Sequence, residues 1–401
     1  MIDEKRIRKN LETFSFPRLS GTKEEKKIFK IVKKKIEDLN LTPSVQEFSF
    51  STFYSRIYPK IAVILTFWFL FVLYLNIEGI FWVINIILIS IIFIPLFIIT
   101  RKPEKIRIGK NLNSQNLYVK ISSNSQKNDL KTKYSNTFSN SCDNNIFLFS
   151  HLDSKGQSLP IHIRGKVFKI WIYSLLASLI IILLKNFIFH QFSIWFYFIG
   201  AVPLGINFIS TILIMSNITT NKSPGALDDA SGITCVLELL NFYISDGSQE
   251  NSLQNLNLWF VFTGAEECGT MGIRNFYNKI KHFNRKTSLF LNFDSIGKNL
   301  IIFSSANEEF NYFNLYKHFF EEARKFNAIV YSKKPLIYTT HSDGYFLYNK
   351  GGFLGMGFAD FLVYKYIHTV NDTLDKVDPI VLKKLCELIT TFLKGIDDSI
   401  L

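Results

Sequence analysis

Hydrophobic residues dominate two pairs of long segments in the first half of the chain. The stretches Ile61 to Ile77 and Gly79 to Thr100 contain no Asp, Glu, Lys or Arg. A helix rises about 1.5 Å per residue, so apolar runs of about 17 to 22 residues are long enough to cross the hydrocarbon core of a bilayer. Because only a short polar link around Glu78 separates the two runs, we predict a transmembrane helical hairpin over residues 57–100.

A second apolar pair covers Val167 to Leu184 and Phe192 to Met215. Lys169 and Lys185 leave an uncharged stretch of about fifteen residues in its first run, which is short for a span unless the lysine side chains extend to the membrane surface. We predict a second transmembrane hairpin over residues 167–215. A pair of buried core helices is the alternative for this segment.

Outside these runs, helix and strand periodicities alternate. Apolar residues recur at helical spacing in Glu24 to Leu39, Ile233 to Tyr243 and Gly272 to Tyr277. Short continuous apolar runs are typical of strands buried on both faces of a parallel sheet. Three such runs occur, at Ile146–Ser150, Leu258–Thr263 and Leu289–Phe293. The pattern predicts one α/β domain built from residues 1–56, 101–166 and 216–401, with a polar, mobile surface loop at Asn124 to Asn145.

Composition supports the membrane prediction and narrows the partners. The 401 residues include 40 Phe, and 48% of the chain is hydrophobic. The formal net charge is +13, but no RNA- or DNA-binding motif accompanies it, so we expect no nucleic-acid partner. Four scattered cysteines without metal-binding or disulfide spacing favour free thiols in a reducing compartment.

Histidines and carboxylates recur directly after the predicted strands, where an α/β fold opens its site. His151 and Asp153 follow the first strand. A neutral imidazole can ligate a metal, and a carboxylate two residues later can hold its tautomer. Asp228 and Asp229 stand among Gly, Ala and Ser residues at the start of a helix. They either cap that helix, or one of them bridges two cations.

A pair of glutamates, Glu266 and Glu267, follows the strand that ends at Thr263. Adjacent carboxylates repel each other unless a cation lies between them or one of them is protonated. This repulsion is relieved if one glutamate is a metal ligand and the other is a general base. Asp294 ends another apolar strand, and His368 lies late in the chain. Each fragment alone has a structural explanation, but five in this order favour a metal site.

The motifs in this order resemble those of the dizinc aminopeptidases of the bacterial leucyl aminopeptidase and aminopeptidase Y type. Relatives of that family include glutaminyl cyclases and glutamate carboxypeptidases. Phe16 to Thr22, followed by an amphipathic helix, also resembles the opening of the family. The resemblance spans the chain apart from its apolar hairpins. It implies a mixed, largely parallel central sheet flanked by helices and two Zn²⁺ ions per chain. The ligands carried over are His151 and Asp294 for one zinc, Glu267 and His368 for the other, and Asp228 as the bridge.

The resemblance also implies roles around the ions. Asp153 would orient His151, and Glu266 would be the general base that takes a proton from a water held by the two ions. In the family the peptide bond after the bridging aspartate is cis. This chain departs from the family where Ser-Asp-Gly stands at 342–344 in place of Ser-Asp-His, and where Ile367 stands in place of a tyrosine. Tyr338 is a candidate oxyanion donor.

The expected function is a membrane-bound, zinc-dependent exopeptidase that hydrolyses N-terminal peptide bonds as an aminopeptidase. Two alternatives stay open: a glutaminyl cyclase-like transferase, which would use one zinc, and a catalytically inactive membrane scaffold with a peptidase fold. The intact set of acids and histidines counts against the scaffold.

Basic residues flank both hairpins on the side to which the chain returns, whereas the two turns offer only Glu78 and Lys185. The positive-inside bias therefore predicts a cytoplasmic catalytic domain. The second hairpin is inserted between His151 and Asp228, so we expect a pocket that opens near the bilayer and accepts hydrophobic or membrane-associated peptides. The alternative is that the hairpins merely tether an enzyme acting on soluble peptides. Four apolar residues before His368 would add lining to the pocket: Phe346, Phe353, Met356 and Phe358.

Overall fold

Contacts along the chain divide it into two units, each built from separate stretches of sequence. The computed structural model describes residues 1–123, 144–188, 193–245, 253–305, 313–332 and 342–400. The first unit comprises Met1–Ser49, Leu112–Gly156 and Thr220–Leu401, and the second comprises Phe50–Asn111 and Gln157–Thr219. Both apolar pairs therefore fall in the second unit. The loop predicted at Asn124 to Asn145 lies outside the described residues except for its last two.

Ten strands occur among the described residues. They are β1 (Ser44–Ser51), β2 (Asn111–Ile121), β3 (Asn145–His151), β4 (Gly156–Gln157), β5 (Thr219–Thr220), β6 (Asn257–Thr263), β7 (Leu289–Phe293), β8 (Ile301–Ser304), β9 (Ile329–Ser332) and β10 (Leu354–Ala359). Eight of them form one sheet in the order β1-β2-β6-β3-β7-β10-β8-β9, and β4 pairs with β5.

The helices follow the same chain order. They are α1 (Glu4–Phe14), α2 (Lys23–Glu37), α3 (Tyr58–Tyr74), α4 (Gly79–Ile99), α5 (Ile161–Leu183), α6 (Ser193–Ser216), α7 (Ser231–Ser245), α8 (Met271–Ile280), α9 (Phe313–Lys325), α10 (Asp343–Asn349) and α11 (Pro379–Ser399).

The four central strands of the sheet, β6, β3, β7 and β10, run parallel to one another. Strands β2 and β8 pair with this group in the antiparallel direction. The mixed, largely parallel sheet flanked by helices is therefore confirmed, and the three predicted strands correspond to β3, β6 and β7. His151 lies opposite Thr263 in the register. Because parallel strands end at the same edge, the segments that follow the four central strands lie close together.

The hydrophobic core explains why the central strands lack alternation. All seven residues of β3 are buried, as expected for a strand covered on both faces. Phe147 and Phe149 pack with Val261 of β6 and with the apolar face of α8. Fully burying such a side chain contributes about 1.5–3 kcal/mol. Phe346 and Phe353 belong to the same core.

The second unit contains four helices that are long and apolar enough to cross a membrane, by length and composition. They cover Phe53–Tyr74, Gly79–Ile99, Ile161–Ile188 and Ile194–Ser216, with mean hydropathies of 1.9, 2.8, 2.4 and 2.0. None of the described side chains of α4 is buried. Leu70, Ile182 and Leu204 form a buried cluster between α3, α5 and α6.

Lys185 lies inside this helical unit and does not extend outwards. Its side chain is buried, and its Nζ donates to the backbone carbonyl of Tyr74, at the end of α3, over 3.1 Å. The same ammonium lies 4.1 Å from the ring centre of Tyr197. A cation is favourable both at a helix carboxyl terminus and over an aromatic face. Lys185, which limits the uncharged stretch in the second apolar pair, therefore connects the segment after α5 to α3 and α6.

Candidate active site

Five predicted metal ligands meet at the carboxyl ends of the central strands. His151 is the last residue of β3, and Glu267 and Asp294 follow β6 and β7. Asp228 precedes α7, and His368 lies in the segment after β10. Two overlapping groups have potential ligand atoms that all lie within 4.8 Å of one another. The first metal group is His151, Asp228 and Asp294, and the second metal group is Asp228, Glu267 and His368. These groups coincide with the two ligand sets that the family resemblance implies.

Asp228 connects the two groups with one oxygen for each. Its Oδ1 lies 2.9 Å from Nε2 of His151, and its Oδ2 lies 3.2 Å from Nε2 of His368. Asp294 Oδ1 is 3.9 Å from His151 Nε2, and Glu267 Oε1 is 3.0 Å from His368 Nε2. Both histidines therefore direct Nε2 towards carboxylate oxygens.

The second metal group contains an orphaned atom that fits a cation. In the described part of the chain, Glu267 Oε1 is buried and accepts no hydrogen bond, although His368 Nε2 is only 3.0 Å away. A buried carboxylate oxygen without a donor is costly, and a metal ion between the two ligand atoms would satisfy both. Imidazole nitrogen and carboxylate oxygen together suit Zn²⁺. The residues present therefore fit a zinc site.

The loop carrying Asp228 is tightly constrained. Gly225 has φ +63°, and a Cβ there would lie 2.6 Å from the Asp228 carbonyl oxygen, so only glycine fits. The Asp228–Asp229 peptide bond is cis, as the family resemblance implies. Asp229 Oδ2 accepts the His151 backbone N–H over 3.1 Å, and Asp372 Oδ1 accepts the Leu227 N–H over 2.6 Å. The sequence pattern did not predict these backbone contacts for Asp229 or Asp372.

Asp153 supports the site through two different groups. Its backbone carbonyl lies 3.0 Å from Nδ1 of His151, whereas its carboxylate Oδ1 is 3.5 Å from the same nitrogen. The carboxylate accepts the backbone N–H groups of Glu266 and Glu267 over 3.0 and 3.1 Å, and the Ser20 hydroxyl. Asp153 therefore contacts the imidazole of one metal group and the backbone of the glutamate pair.

The two glutamates have opposite electrostatic environments. Burial raises the pKa of Glu266 well above its ordinary value, and the charge of Glu267 adds to this effect. Burial also acts against ionisation of Glu267, but His368 and Lys155 lower its pKa below the ordinary range. Lys155 Nζ lies 2.5 Å from Glu267 Oε2. These environments favour the protonated form of Glu266 and the ionised form of Glu267.

Arg18 supports the site, and the sequence pattern did not predict this role. Its side chain is fully buried, and burial lowers its pKa. All five of its side-chain hydrogen bonds go to backbone carbonyls, those of Phe14, Phe16, Leu152, Pro224 and Gly225. Because Leu152 follows His151 and Gly225 lies in the Asp228 loop, Arg18 connects two ligand-bearing segments.

Two further groups lie around the acids. Asp343 accepts the Thr263 hydroxyl, and burial raises its pKa to about 7. Burial, together with the charges of Asp294, Asp228 and Glu266, raises the pKa of Tyr364 well above its ordinary value. The predicted oxyanion donor, at position 338, lies outside the described residues.

Comparisons with known proteins agree with this geometry. Residues 211–393 match the model of Peptidase family M28, and this segment carries Asp228, Glu266, Glu267, Asp294 and His368. No curated protein sequence matches the chain.

Three solved structures illustrate the common fold. An aminopeptidase from Aneurinibacillus sp. strain AM-1 has a TM-score of 0.54 at 15% identity, covering 98% of this chain and 93% of its own. BSAP, a zinc aminopeptidase from Bacillus subtilis, has a TM-score of 0.52 at 12% identity, covering 99% and 95%. The glutaminyl cyclase of Bacteroides thetaiotaomicron, solved with N-acetylhistamine, has a TM-score of 0.51 at 12% identity, covering 98% of each chain. At these identities the likeness establishes the fold alone. Together with the family match over residues 211–393 and the ordered motifs, it confirms the resemblance seen in the sequence: the chain is similar to peptidase family M28 over that segment.

Proposed function

We propose that this chain is a zinc aminopeptidase that removes residues from the amino terminus of peptides. The observation that carries the proposal is the pair of metal groups sharing Asp228, with the buried carboxyl group of Glu266 beside Glu267. The match of residues 211–393 to a peptidase family supports the reaction class, peptide hydrolysis. Two of the solved structures with this fold carry the name aminopeptidase.

Two zinc ions, held by the first and second metal groups, would lower the pKa of water and polarise the scissile carbonyl. Residues of the chain would hold the ions and transfer the proton. Asp228 offers Oδ1 to one group and Oδ2 to the other. Glu266 takes the proton from the attacking water and delivers it to the leaving amine. Burial raises the pKa of Glu266, which makes its carboxylate a stronger proton acceptor.

We also propose that the protein is an integral membrane protein with four transmembrane helices and a cytoplasmic catalytic unit. The support is the length and hydropathy of the four helices, and the surface of α4, which carries no charged residue and has no described buried side chain. A helix that is apolar all round and unburied is unfavourable in water and suits lipid. The orientation follows from the basic residues flanking both hairpins.

The substrates proposed are hydrophobic or membrane-associated peptides. The chain leaves the catalytic unit after Gly156 and returns at Thr220. Lys155, one residue before the exit, bonds Glu267, and Ser154 donates to the carbonyl of Ser223, shortly after the return. Both connections to the apolar segment therefore start at the site itself.

Product analysis on a peptide library with purified, zinc-loaded protein tests the function. Release of single N-terminal residues is the expected result. Glu266→Gln should lower kcat by about 10²–10⁴-fold with zinc content unchanged, because only base catalysis is lost. Glu267→Ala should lose zinc. Glu12→Gln, an exposed glutamate of α1, is the matched control and should leave both properties unchanged.

Three outcomes would count against the proposal. Near-full activity in Glu266→Gln would remove the base from its assigned role. A wild-type protein without a transition metal would contradict the metal groups. Cyclisation of N-terminal glutamine with one zinc per chain, in place of hydrolysis, would favour the glutaminyl cyclase-like alternative.

A further inference from the structure

A cavity of about 420 Å³ is lined by residues of α2, β1 and β2 and by the residue that follows His151. Cavities that hold small molecules have volumes of about 300–1,000 Å³, so this cavity is large enough for an organic ligand. It shares no residue with the two metal groups. Its lining includes Glu25, Lys26, Phe29, Phe48, Asn113 and Ser114.

Glu25 contributes a buried carboxyl group to the wall of this cavity, with a relative exposure of only 4%. Its oxygens accept the Gly21 N–H and the Ser114 hydroxyl, each over 2.5 Å, and the Ala265 N–H over 3.2 Å. Three donors directed at one carboxyl group favour its ionised form. In the described residues, however, no ion pair joins Glu25 to a lysine or an arginine, and burial raises its pKa to about 8. A cation that enters the cavity would supply the missing opposite charge.

The rest of the lining indicates what kind of cation fits. Lys26 is exposed and adds a positive charge at the cavity, and Phe29 and Phe48 add aromatic surface. A bare metal ion would use the carboxyl group alone and leave most of the volume and the apolar surface without a partner. A zwitterion with an apolar side chain complements the acid, the lysine and the two rings together.

We propose that this cavity is a second binding site, separate from the metal groups, for a free α-amino acid with an apolar side chain. The ammonium group of the amino acid bonds Glu25, and its carboxylate faces Lys26. Only the source of the ligand rests on the proposed function, since an aminopeptidase releases free amino acids. Because Glu25 also holds the N–H of Ala265, the residue before Glu266, the bound amino acid lies one side chain away from the loop of the glutamate pair.

Isothermal titration calorimetry of the full-length protein in detergent, both zinc-loaded and stripped of metal by a chelator, tests the inference. L-Leucine should bind to one site per chain in the metal-free protein, and this site should persist with zinc. 3-Methylbutylamine lacks the carboxylate and should bind more weakly, whereas 4-methylpentanoate lacks the ammonium group and should not bind.

Two substitutions divide the site into its charges. Glu25→Gln should weaken leucine binding by at least about tenfold, the loss expected for a charge-assisted hydrogen bond. Lys26→Met should weaken it about two- to fivefold, as expected for an exposed charge pair, and should leave the affinity for 3-methylbutylamine unchanged. Lys30→Met removes an exposed lysine of the same helix that does not line the cavity, and it should titrate like the wild type.

Asn113→Trp keeps the inference testable should Glu25→Gln fold poorly. Asn113 is an exposed lining residue, so a bulky side chain there should fill the cavity and abolish leucine binding without removing Glu25. Absence of leucine binding to the folded, metal-free wild type would overturn the inference, and so would unchanged binding in folded Glu25→Gln or Asn113→Trp. Because the metal-free titration involves neither zinc nor a peptide, these results would leave the proposed aminopeptidase function standing.

Discussion

Arg18 places a permanent charge in the interior of the catalytic unit, where the desolvation of an ion costs several kcal/mol. Five backbone carbonyls accept hydrogen bonds from its guanidinium. The charges of Asp372, Asp229, Asp228 and Asp153 also favour its ionised form. The planar group reaches carbonyls on three separate segments at once, which a lysine could not do from a single nitrogen.

Arg18→Lys should therefore destabilise the catalytic unit and loosen the metal groups. At least two of the five hydrogen bonds would be lost, at about 1–3 kcal/mol each, so the free energy of unfolding should fall by about 2–6 kcal/mol. Chemical unfolding in detergent and zinc content by mass spectrometry measure the two effects. Arg8→Lys is the matched control, because Arg8 makes an exposed pair with Glu4 and should change stability by less than about 0.5 kcal/mol. Equal behaviour of the two variants would contradict the role of Arg18.

The residues found from the sequence and those missed differ in what they contact. The order of acids and histidines after apolar strands identified both metal groups, because ligand chemistry restricts the residue type. Arg18 and Asp372 act on backbone atoms far along the chain, which no residue pattern specifies. The sequence pattern also does not predict the backbone conformation of the site. Ala265, Ser295 and His368 adopt positive φ angles of 52°, 62° and 62°, although none of them is glycine. Surrounding packing imposes such conformations.

At the scale of secondary structure, α2 links the predicted helical pattern to the site. The helix covers Lys23–Glu37, with Thr22 as its amino-terminal cap. Glu25 in its first turn is buried and accepts the Gly21 and Ala265 backbone N–H groups and the Ser114 hydroxyl. Ala265 immediately precedes the glutamate pair. Burial, with the charge of Asp153, raises the pKa of Glu25 from 4.5 to about 8.

This raised pKa makes the stability of the catalytic unit depend on pH. Between the two pKa values, the folded state holds a proton on Glu25 that the unfolded state has released. Rising pH therefore removes stability through this group, and the loss is complete above about pH 8. Glu25→Gln cannot titrate, so its free energy of unfolding relative to the wild type should increase from about pH 5 to about pH 9.

Chemical unfolding of both proteins with a chelator present, at each pH, measures the difference free of zinc binding. The exposed Glu12→Gln serves as the reference for an ordinary glutamate. A constant difference between Glu25→Gln and wild type across this pH range would show that Glu25 ionises in the folded protein as it does in the unfolded chain.

The elements that the sequence pattern did not predict have physical reasons for their weak signal. Strand β10, with the sequence Leu-Gly-Met-Gly-Phe-Ala, contains two glycines and lacks β-branched residues, so its propensity for a strand is low. Close packing requires this composition, since a Cβ at Gly355 would clash with Phe290. Long, uniform apolar patterns predict their elements more clearly, as they do for β3 and the four apolar helices.

For the whole molecule, the distribution of basic residues predicts the orientation of the catalytic unit. Basic residues cluster beside the hairpins on the side of that unit: Arg56, Lys60, Arg101, Lys102, Lys105, Arg107, Lys110, Arg164, Lys166 and Lys169. The turns contribute Glu78 and Lys185, and Lys185 is engaged with Tyr74 and Tyr197. The positive-inside bias therefore predicts a cytoplasmic catalytic unit. Protease added to intact cells should spare this unit and digest it only after permeabilisation; digestion from outside would reverse the orientation.

The connection between the apolar segment and the site leads to a prediction about substrates. The flanking residues Lys155 and Ser223 both have partners in the site or its supporting loops, and the proposed preference for hydrophobic peptides assigns their recruitment to the second hairpin. Replacing 167–215 by a short Gly/Ser linker, with the first hairpin kept as the anchor, should selectively reduce cleavage of apolar, membrane-partitioning peptides. Cleavage of polar peptides and zinc content should persist, since the five ligands and Glu266 lie outside the replaced segment. A scrambled apolar sequence of the same length controls for loss of anchoring. If apolar and polar peptides lose cleavage equally, or neither does in folded, zinc-containing protein, the hairpin serves only as a tether.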